Sequence, residues 1–196
     1  MFSGKIEDYI LFEDKEIIVC RKPAGIAVQN ARIGAMDLES SLKNYLAMQA
    51  SGGRRIPYLA VIHRLDQPVE GILVFGKTPE AAKSLSAQIT AGKMEKIYLA
   101  VTYGKQAEAG KKEKVLEDYL KKDGKSNTSS VVNAHTPGAK KARLSYEVLG
   151  EAVDAISGKK KWLLRIHLDT GRHHQIRVQM AHAGMPLAGD RKYGAG

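Results

Sequence analysis

The chain has 196 residues, 43% hydrophobic and 27% charged, an ordinary globular balance that argues against extensive disorder or fibrous repeats. Its 31 Lys and Arg against 21 Asp and Glu give a net charge of +10, which points to a polyanionic partner. Cys20 is the one cysteine, so an internal disulfide and a cysteine-rich zinc site are excluded and a reducing, cytoplasmic setting is expected. The opening residues lack the basic-then-apolar pattern of a signal peptide, and no apolar run approaches the ~18 residues of a membrane span.

In chain order, residues 16–20 (EIIVC) read as a buried strand that ends at Lys22-Pro23-Ala24-Gly25. Residues 38–49 read as a helix: Leu38, Leu42, Tyr45 and Leu46 share one face, and Asp37 can cap the start. Residues 59–62 form a short strand leading into His63-Arg64-Leu65-Asp66, and residues 71–76 form the next strand. Thr78-Pro79-Glu80 opens a helix that runs to about Thr90 and stops near Gly92. Residues 96–103 read as a strand. Residues 121–140, rich in Lys, Gly, Ser, Asn and Thr, read as a mobile basic loop. Two strands at 142–149 and 161–168 follow, then a helix from His174 to His182 with Gly184 as its stop. The interleaved strands and helices predict an α/β or α+β mixed sheet within one domain.

The basic excess is local. Residues 111–143 hold nine basic and four acidic residues, and residues 158–177 hold six and one. Charge alone does not separate RNA from DNA or from a membrane surface.

Three chemical patterns fail on inspection. Gly71 to Thr78 formally fits the phosphate loop G-x-x-x-x-G-K-[ST], but its middle residues are Ile, Leu, Val and Phe, which belong in a buried strand. His167, Asp169, His173 and His174 are close in sequence but lack the spacing that sets two imidazoles on one helical face, so no metal site is expected. No G-x-S-x-G elbow supports a nucleophilic serine. Two segments remain unusual. Residues 59–78 place Arg64 and Asp66 at a strand end, and residues 168–190 place Arg172 and Arg177 near a helix start. Cations there oppose the helix dipole, which suggests an anionic partner, carboxylate or phosphate.

These segments resemble the RluA-type RNA pseudouridine synthases. HRLD at 63–66 followed by GILVFGKT is similar to the family's central motif, and DKEIIVCRKPAGIAVQ at 14–29 is similar to its first. KIYLAVTYG at 96–104 resembles its K-x-Y strand, and LDTGRHHQIRVQMAHAGMPLAGDRKYG at 168–194 its long C-terminal signature. The four motifs occur in the family's order across about residues 11–194. The resemblance implies a single catalytic domain over residues 1–196, built on a bent, mainly antiparallel mixed sheet with flanking helices. It implies isomerisation of uridine in rRNA or tRNA without cofactor or metal. Asp66, Tyr98 and Arg177 fall on its catalytic positions, and Arg64 on the arginine that helps displace the target base. Arg172, His63 and His174 are grouped with Arg64 as RNA-binding candidates, although His63 also reads as a structural turn residue. A monomer in the cytoplasm, with no accessory N-terminal RNA-binding domain, no membrane and no obligate protein partner, completes the expectation.

The sequence also departs from the family. Val69-Glu70 stands where Thr-Ser is usual, and His173 where the signature has Thr. Glu70 adds a carboxylate near Asp66 in sequence, which either raises the Asp66 pKa or pairs with a nearby arginine. The alternative reading is therefore a catalytically impaired RNA-binding or RNA-folding module on the same scaffold.

Overall fold

A computed structural model describes residues 2–30, 36–50, 56–104 and 113–194. Lys111 and Lys112 of the first basic segment lie outside the described residues. The chain divides into two compact units, residues 1–94 and 95–196. Among the described residues the fold is α+β: three α-helices, a short 3-10 helix at Ile6–Tyr9 and two sheets, one of four strands and one of five, all paired antiparallel.

In the first unit the strands are β1 (Ile10–Glu13), β2 (Ile17–Lys22), β3 (Ala60–Val61) and β4 (Gly71–Gly76), in the order β1-β2-β4-β3. The helices are α1 (Leu38–Gln49) and α2 (Pro79–Thr90). Both start where the sequence places them. The Asp37 carboxylate accepts from the Ser40 N–H at 2.7 Å, and the Thr78 hydroxyl from the Ala81 N–H at 3.1 Å, each satisfying a donor that the helix leaves unpaired. The α1 residues Leu38, Leu42 and Leu46 pack with Ile18, Cys20, Leu73 and Phe75 of β2 and β4.

Strand β2 runs two residues further than the sequence suggests, and this extension has a physical consequence. Side chains alternate along a strand. Ile18 and Cys20 point inward, so Lys22 does too, and its side chain has no exposed surface. The ammonium donates to the carbonyl oxygens of Pro23 (2.9 Å), Ile26 (2.7 Å) and Gln67 (3.0 Å). A buried charge survives only when its protons are taken up in this way.

In the second unit β5 (Ile97–Tyr103), β9 (Lys160–Leu168), β8 (Lys140–Val153), β6 (Lys114–Asp123) and β7 (Thr128–Val132) lie side by side in that order. One face, with Ala100, Trp162, Leu164, Ile166, Leu144 and Tyr146, forms a core with Met180 of α3 (Gln175–His182) and Met185 beyond it. The end of α3 has the double-bonded glycine stop: Met185 N–H bonds to Met180 C=O and Gly184 N–H to Ala181 C=O, with Gly184 at φ 78°. The chain then returns to β5, where Tyr103 N–H bonds to Pro186 C=O and Ala188 N–H to Val101 C=O. A side chain at Gly104 (φ 113°) would collide with the Gly184 carbonyl, so this return needs glycine.

The basic segment 121–140 is not the loop that its composition suggests. It contains the β6–β7 hairpin, paired from Tyr119–Val132 to Asp123–Thr128, and β8 begins at its last residue, Lys140. The hairpin turn is closed by Asp123, which accepts from the Lys125 N–H and the Ser126 hydroxyl, while Asn127 adopts φ 50°. The inward positions of this hairpin include Asp118 and Ser129, which are polar because they meet polar partners. Asp118 accepts from Gln179 of α3 at 2.8 Å, and the Ser129 hydroxyl bonds to His173 at 2.9 Å.

Replacing Lys22 by Met keeps most of the volume but leaves buried carbonyls without their donor. We expect Lys22→Met to destabilise folding by about 2–4 kcal/mol, read as a lower urea midpoint. An unchanged midpoint would show that the ammonium contributes nothing to the first unit.

Candidate active-site elements

Asp66 sits in the connection between β3 and β4. Only two residues of β3 pair with β4, Ala60 with Gly76 and Val61 with Phe75. Two residues later the backbone ladder is replaced by a side chain, because Val74 N–H donates to Nε2 of His63 at 3.3 Å. His63 thus has a structural contact in extending the β3–β4 pairing, just before the turn. It fixes an acceptor at Nε2, so a neutral imidazole carries its proton on Nδ1. Arg64 follows and is exposed.

The turn that carries Asp66 is tied down from three directions. Val69 N–H bonds to Asp66 C=O at 3.0 Å, closing the turn over Gln67-Pro68. Gln67 and Gly25 bond reciprocally: Gly25 N–H to the Gln67 carbonyl at 2.8 Å, and the Gln67 amide to the Gly25 carbonyl at 3.0 Å. The Lys22 ammonium takes the same Gln67 carbonyl from beneath. The Lys-Pro-Ala-Gly segment thus acts as a bracket for the residue after Asp66. Burial pushes the Lys22 pKa below the usual lysine value, and the charges of Asp66 and Glu70 push it back up. Glu70, the departure noted in the sequence, is exposed.

The remaining candidates lie in the second unit. Tyr98 is on β5 opposite Ile166 and packs, half-buried, against the core of that unit. Arg172 precedes α3; its Nε donates to the Lys141 carbonyl at 2.8 Å, and its N–H bonds to the Gln175 side chain at 2.9 Å. His174 is the residue before α3 and adopts a left-handed conformation, φ 54°. Its ring stacks on His173 with centroids 3.7 Å apart, and its Nδ1 lies 2.8 Å from the Tyr193 hydroxyl. That hydroxyl also accepts from the Ser129 N–H at 2.7 Å.

Arg177 is the third residue of α3 and is gripped from two sides. Nε and one Nη donate to the two oxygens of Asp190 at 2.8 and 2.7 Å, and the guanidinium carbon lies 5.0 Å from the centre of the Tyr193 ring. Asp190 therefore supplies an anion that the sequence expected for this cation. It is nearly buried, with 4% of its side chain exposed, and it also accepts from the N–H groups of Lys192 and Tyr193. The Arg177 bond, helped by those two N–H groups, holds its pKa down at about 2.

Sequence reasoning did not single out Lys22, Gln67, Asp190 or Tyr193. The alternation Ile18-x-Cys20-x-Lys22 carried a signal for the first. The other three gain their meaning from contacts across the fold. His167, read earlier for metal spacing, lies 3.7 Å from Asp169, which also pairs with Arg143. A depression of about 380 Å³ lined by Glu95, Ile97, Glu147, Arg165 and His167 on the second unit contains none of the candidate catalytic residues.

Residues 16–182 match the family described as RNA pseudouridylate synthase, and the chain belongs to that family. It is 34% identical over 190 residues to ribosomal large subunit pseudouridine synthase D of Pseudomonas aeruginosa, covering 96% of this chain and 54% of that one. It is 33% identical over 189 residues to tRNA pseudouridine synthase C of Haemophilus ducreyi, covering 94% of this chain and 73% of that one. The chain spans about half the length of several of the curated relatives it matches. Among solved structures, human RNA pseudouridylate synthase domain containing 1 superposes with a TM-score of 0.76 at 21% identity, over 100% of this chain and 73% of that one. Human RNA pseudouridylate synthase domain containing 4 gives 0.74 at 23%, over 96% and 70%. These two show the same fold.

The Asp190 carboxylate has a pH signature. Its folded pKa of about 2 lies below the ordinary 3.8, so its stabilisation is fully present above pH 4 and is lost as pH falls through 2. A depression of this size corresponds to about 2 kcal/mol. Urea titrations of wild type and Asp190→Asn should differ by about that amount at pH 7 and converge between pH 4 and 2. A difference independent of pH would remove the ion pair as its cause.

Proposed function

We propose that this chain isomerises uridine to pseudouridine in rRNA or tRNA, as a monomer in the cytoplasm, with Asp66 as the catalytic carboxylate. The observation that carries the reading is the placement of Asp66. In a chain of this family, its carboxylate is presented on a turn locked by Lys22, Gly25 and Val69. Sites that hold reacting groups in one geometry are built on such fixed backbone.

The reaction breaks the C1′–N1 bond, rotates the base, and forms a bond from C1′ to C5, after which the C5 proton is lost and N1 is protonated. The isomerisation is redox-neutral, and this reading assigns it no cofactor. Asp66 acts towards the sugar or base as nucleophile or as base. Arg177 is the cationic partner that this reading assigns to the carboxylate. Tyr98 supplies a flat surface for a base that has left its stack, and Arg64 helps displace it. Arg172, His63 and His174 contribute to the RNA contact. Extrusion of the base costs a few kcal/mol, and phosphate contacts from the basic segments offset it.

The names of the two bacterial relatives, one acting on ribosomal RNA and one on tRNA, support an RNA substrate and leave both RNA classes in play. The experiment uses RNA labelled with tritium at uridine C5. Wild type should release tritium, and Asp66→Asn should release none above background while still binding the RNA. Release by Asp66→Asn at the wild-type rate would overturn the assignment. RNA binding with no release by wild type would favour the binding-module reading.

The basic segments make a second prediction. The log of the affinity should fall with log salt by about 0.7 per phosphate contacted on single-stranded RNA. Neutralising Lys121, Lys122 and Lys125 on the hairpin should make that slope shallower. A slope near zero in the wild type would exclude a major electrostatic role.

A further inference from the structure

We infer that Asp190 is a positioning residue that presets the Arg177 guanidinium for its catalytic role, with Tyr193 as the wall against which the guanidinium rests. The inference rests on the reading of Arg177 given above and extends it to two residues to which that reading assigns nothing.

A guanidinium has two edges that can meet an anion in parallel bonds: the side edge, Nε with one Nη, and the end edge, with both Nη atoms. Asp190 takes the side edge in both bonds. The end edge is then directed away from Asp190. The guanidinium carbon lies over the Tyr193 ring, 5.0 Å from its centre, which limits its movement on that side. Its hydroxyl is held in turn by Ser129 and His174, and its N–H by Asp190 itself.

The clamp is more rigid than a surface ion pair. Exposed pairs hold two flexible side chains at a net worth near zero. Here the carboxylate is nearly buried and accepts from two backbone N–H groups besides the arginine. Its backbone is fixed as well: Gly194 N–H bonds to Asp190 C=O at 2.9 Å, and a side chain at Gly194 would collide with that carbonyl. The Gly189-Asp190 turn and the Tyr193-Gly194 end of the signature thus form one device around one guanidinium. A cation in the first turn of α3 also opposes the helix dipole, and Asp190 offsets that cost locally. Because Asp190 already balances the charge of Arg177, what Arg177 offers a second carboxylate is chiefly aimed hydrogen bonds.

The test is single-turnover tritium release from large-subunit rRNA and bulk tRNA transcripts labelled at uridine C5, together with RNA affinity and a ¹⁵N spectrum of arginine Nε–H groups. In the wild type the Arg177 Nε–H should give a resolved, slowly exchanging signal. Asp190→Asn should lose that signal and slow the step at saturating RNA by about 10- to 100-fold, with RNA affinity nearly unchanged. Asp190→Glu should restore both in large part. In an Arg177→Gln background, Asp190→Asn should add less than about a twofold further effect, since it acts only through the arginine. A purely structural role would instead multiply the two losses and lower affinity as well. Wild-type turnover matched by Asp190→Asn, or a retained Nε–H signal, overturns the inference and leaves the function intact. Wild-type turnover unaffected by Arg177→Gln overturns the role of Arg177, and no turnover of either RNA by wild type overturns the function; in both cases the inference falls as well.

Discussion

A lysine ammonium with no exposed surface must be surrounded by oxygen, and that requirement organises the first unit. Lys22 is inward because β2 alternates and the strand does not end at Cys20. Moving an unpaired ammonium into the interior costs several kcal/mol even after relaxation. Three backbone carbonyls meet its three protons, two from the loop that follows β2 and one from the turn after β3. Segments 45 residues apart are thereby forced to one point. The Asp66 turn is held by a contact that apolar packing alone would not provide, because hydrophobic contact is not directional. The carboxylates of Asp66 and Glu70 share the field of the same ammonium. The bracket therefore joins the position of the Asp66 turn to a fixed positive charge.

The second unit meets the same demand, one fixed charge on a helix start, with different chemistry. A lysine suits three carbonyls around a point, whereas an arginine suits a planar carboxylate and an aromatic face. Asp190 and Tyr193 provide those two surfaces for Arg177. His174 completes the arrangement through an unusual backbone. A left-handed conformation is uncommon for a residue with a Cβ and persists only where the surroundings determine it. Here it turns the chain into α3 while the ring bonds to Tyr193 and stacks on His173. His173, which departs from the family signature, is itself bonded to Ser129 and Asn127 of the hairpin. The departure is thus absorbed by a hairpin contact of this chain.

Much of this was legible in the sequence wherever the cause is local. Asp37 and Thr78 cap helices because a short polar side chain before an apolar periodicity has one obvious partner. Gly184 stops α3 for an equally local reason. The ordered motifs carried the family, and the His63 ring accepts a bond from the Val74 N–H of β4. What was missed depends on contacts distant in sequence. Residues 121–140, which include half of the β6–β7 hairpin, looked like a loop because Lys, Gly, Ser, Asn and Thr dominate them and the apolar Leu120 and Val131, which pack with Ala142 and Val178, stand at their margin or alone. A short strand that mixes polar and apolar residues on its inward side gives only a weak alternation in the sequence. Lys22 was hidden by the opposite prejudice, a charge at an apolar position being read as the end of the strand.

The hairpin also changes how the net charge of +10 is to be understood. Several cations of the basic segments are engaged within the protein. Lys141 pairs with Glu117 at 2.8 Å, Arg143 with Asp169, and Arg165 with Glu147 at 2.6 Å. Arg177 is bound to Asp190, and Arg172 is laid on the Lys141 carbonyl. These pairings localise where the free positive charge lies on this unit without changing its net value. Lys121, Lys122 and Lys125, by contrast, are exposed on a strand and turn. A basic group on an ordered hairpin loses less conformational freedom on meeting phosphate than the same group on a loose loop. The segment that composition marked as the least structured is thus an ordered platform for cations, held by its pairing with β8, by the apolar contacts of Leu120 and Val131 and by the Ser129–His173 bond.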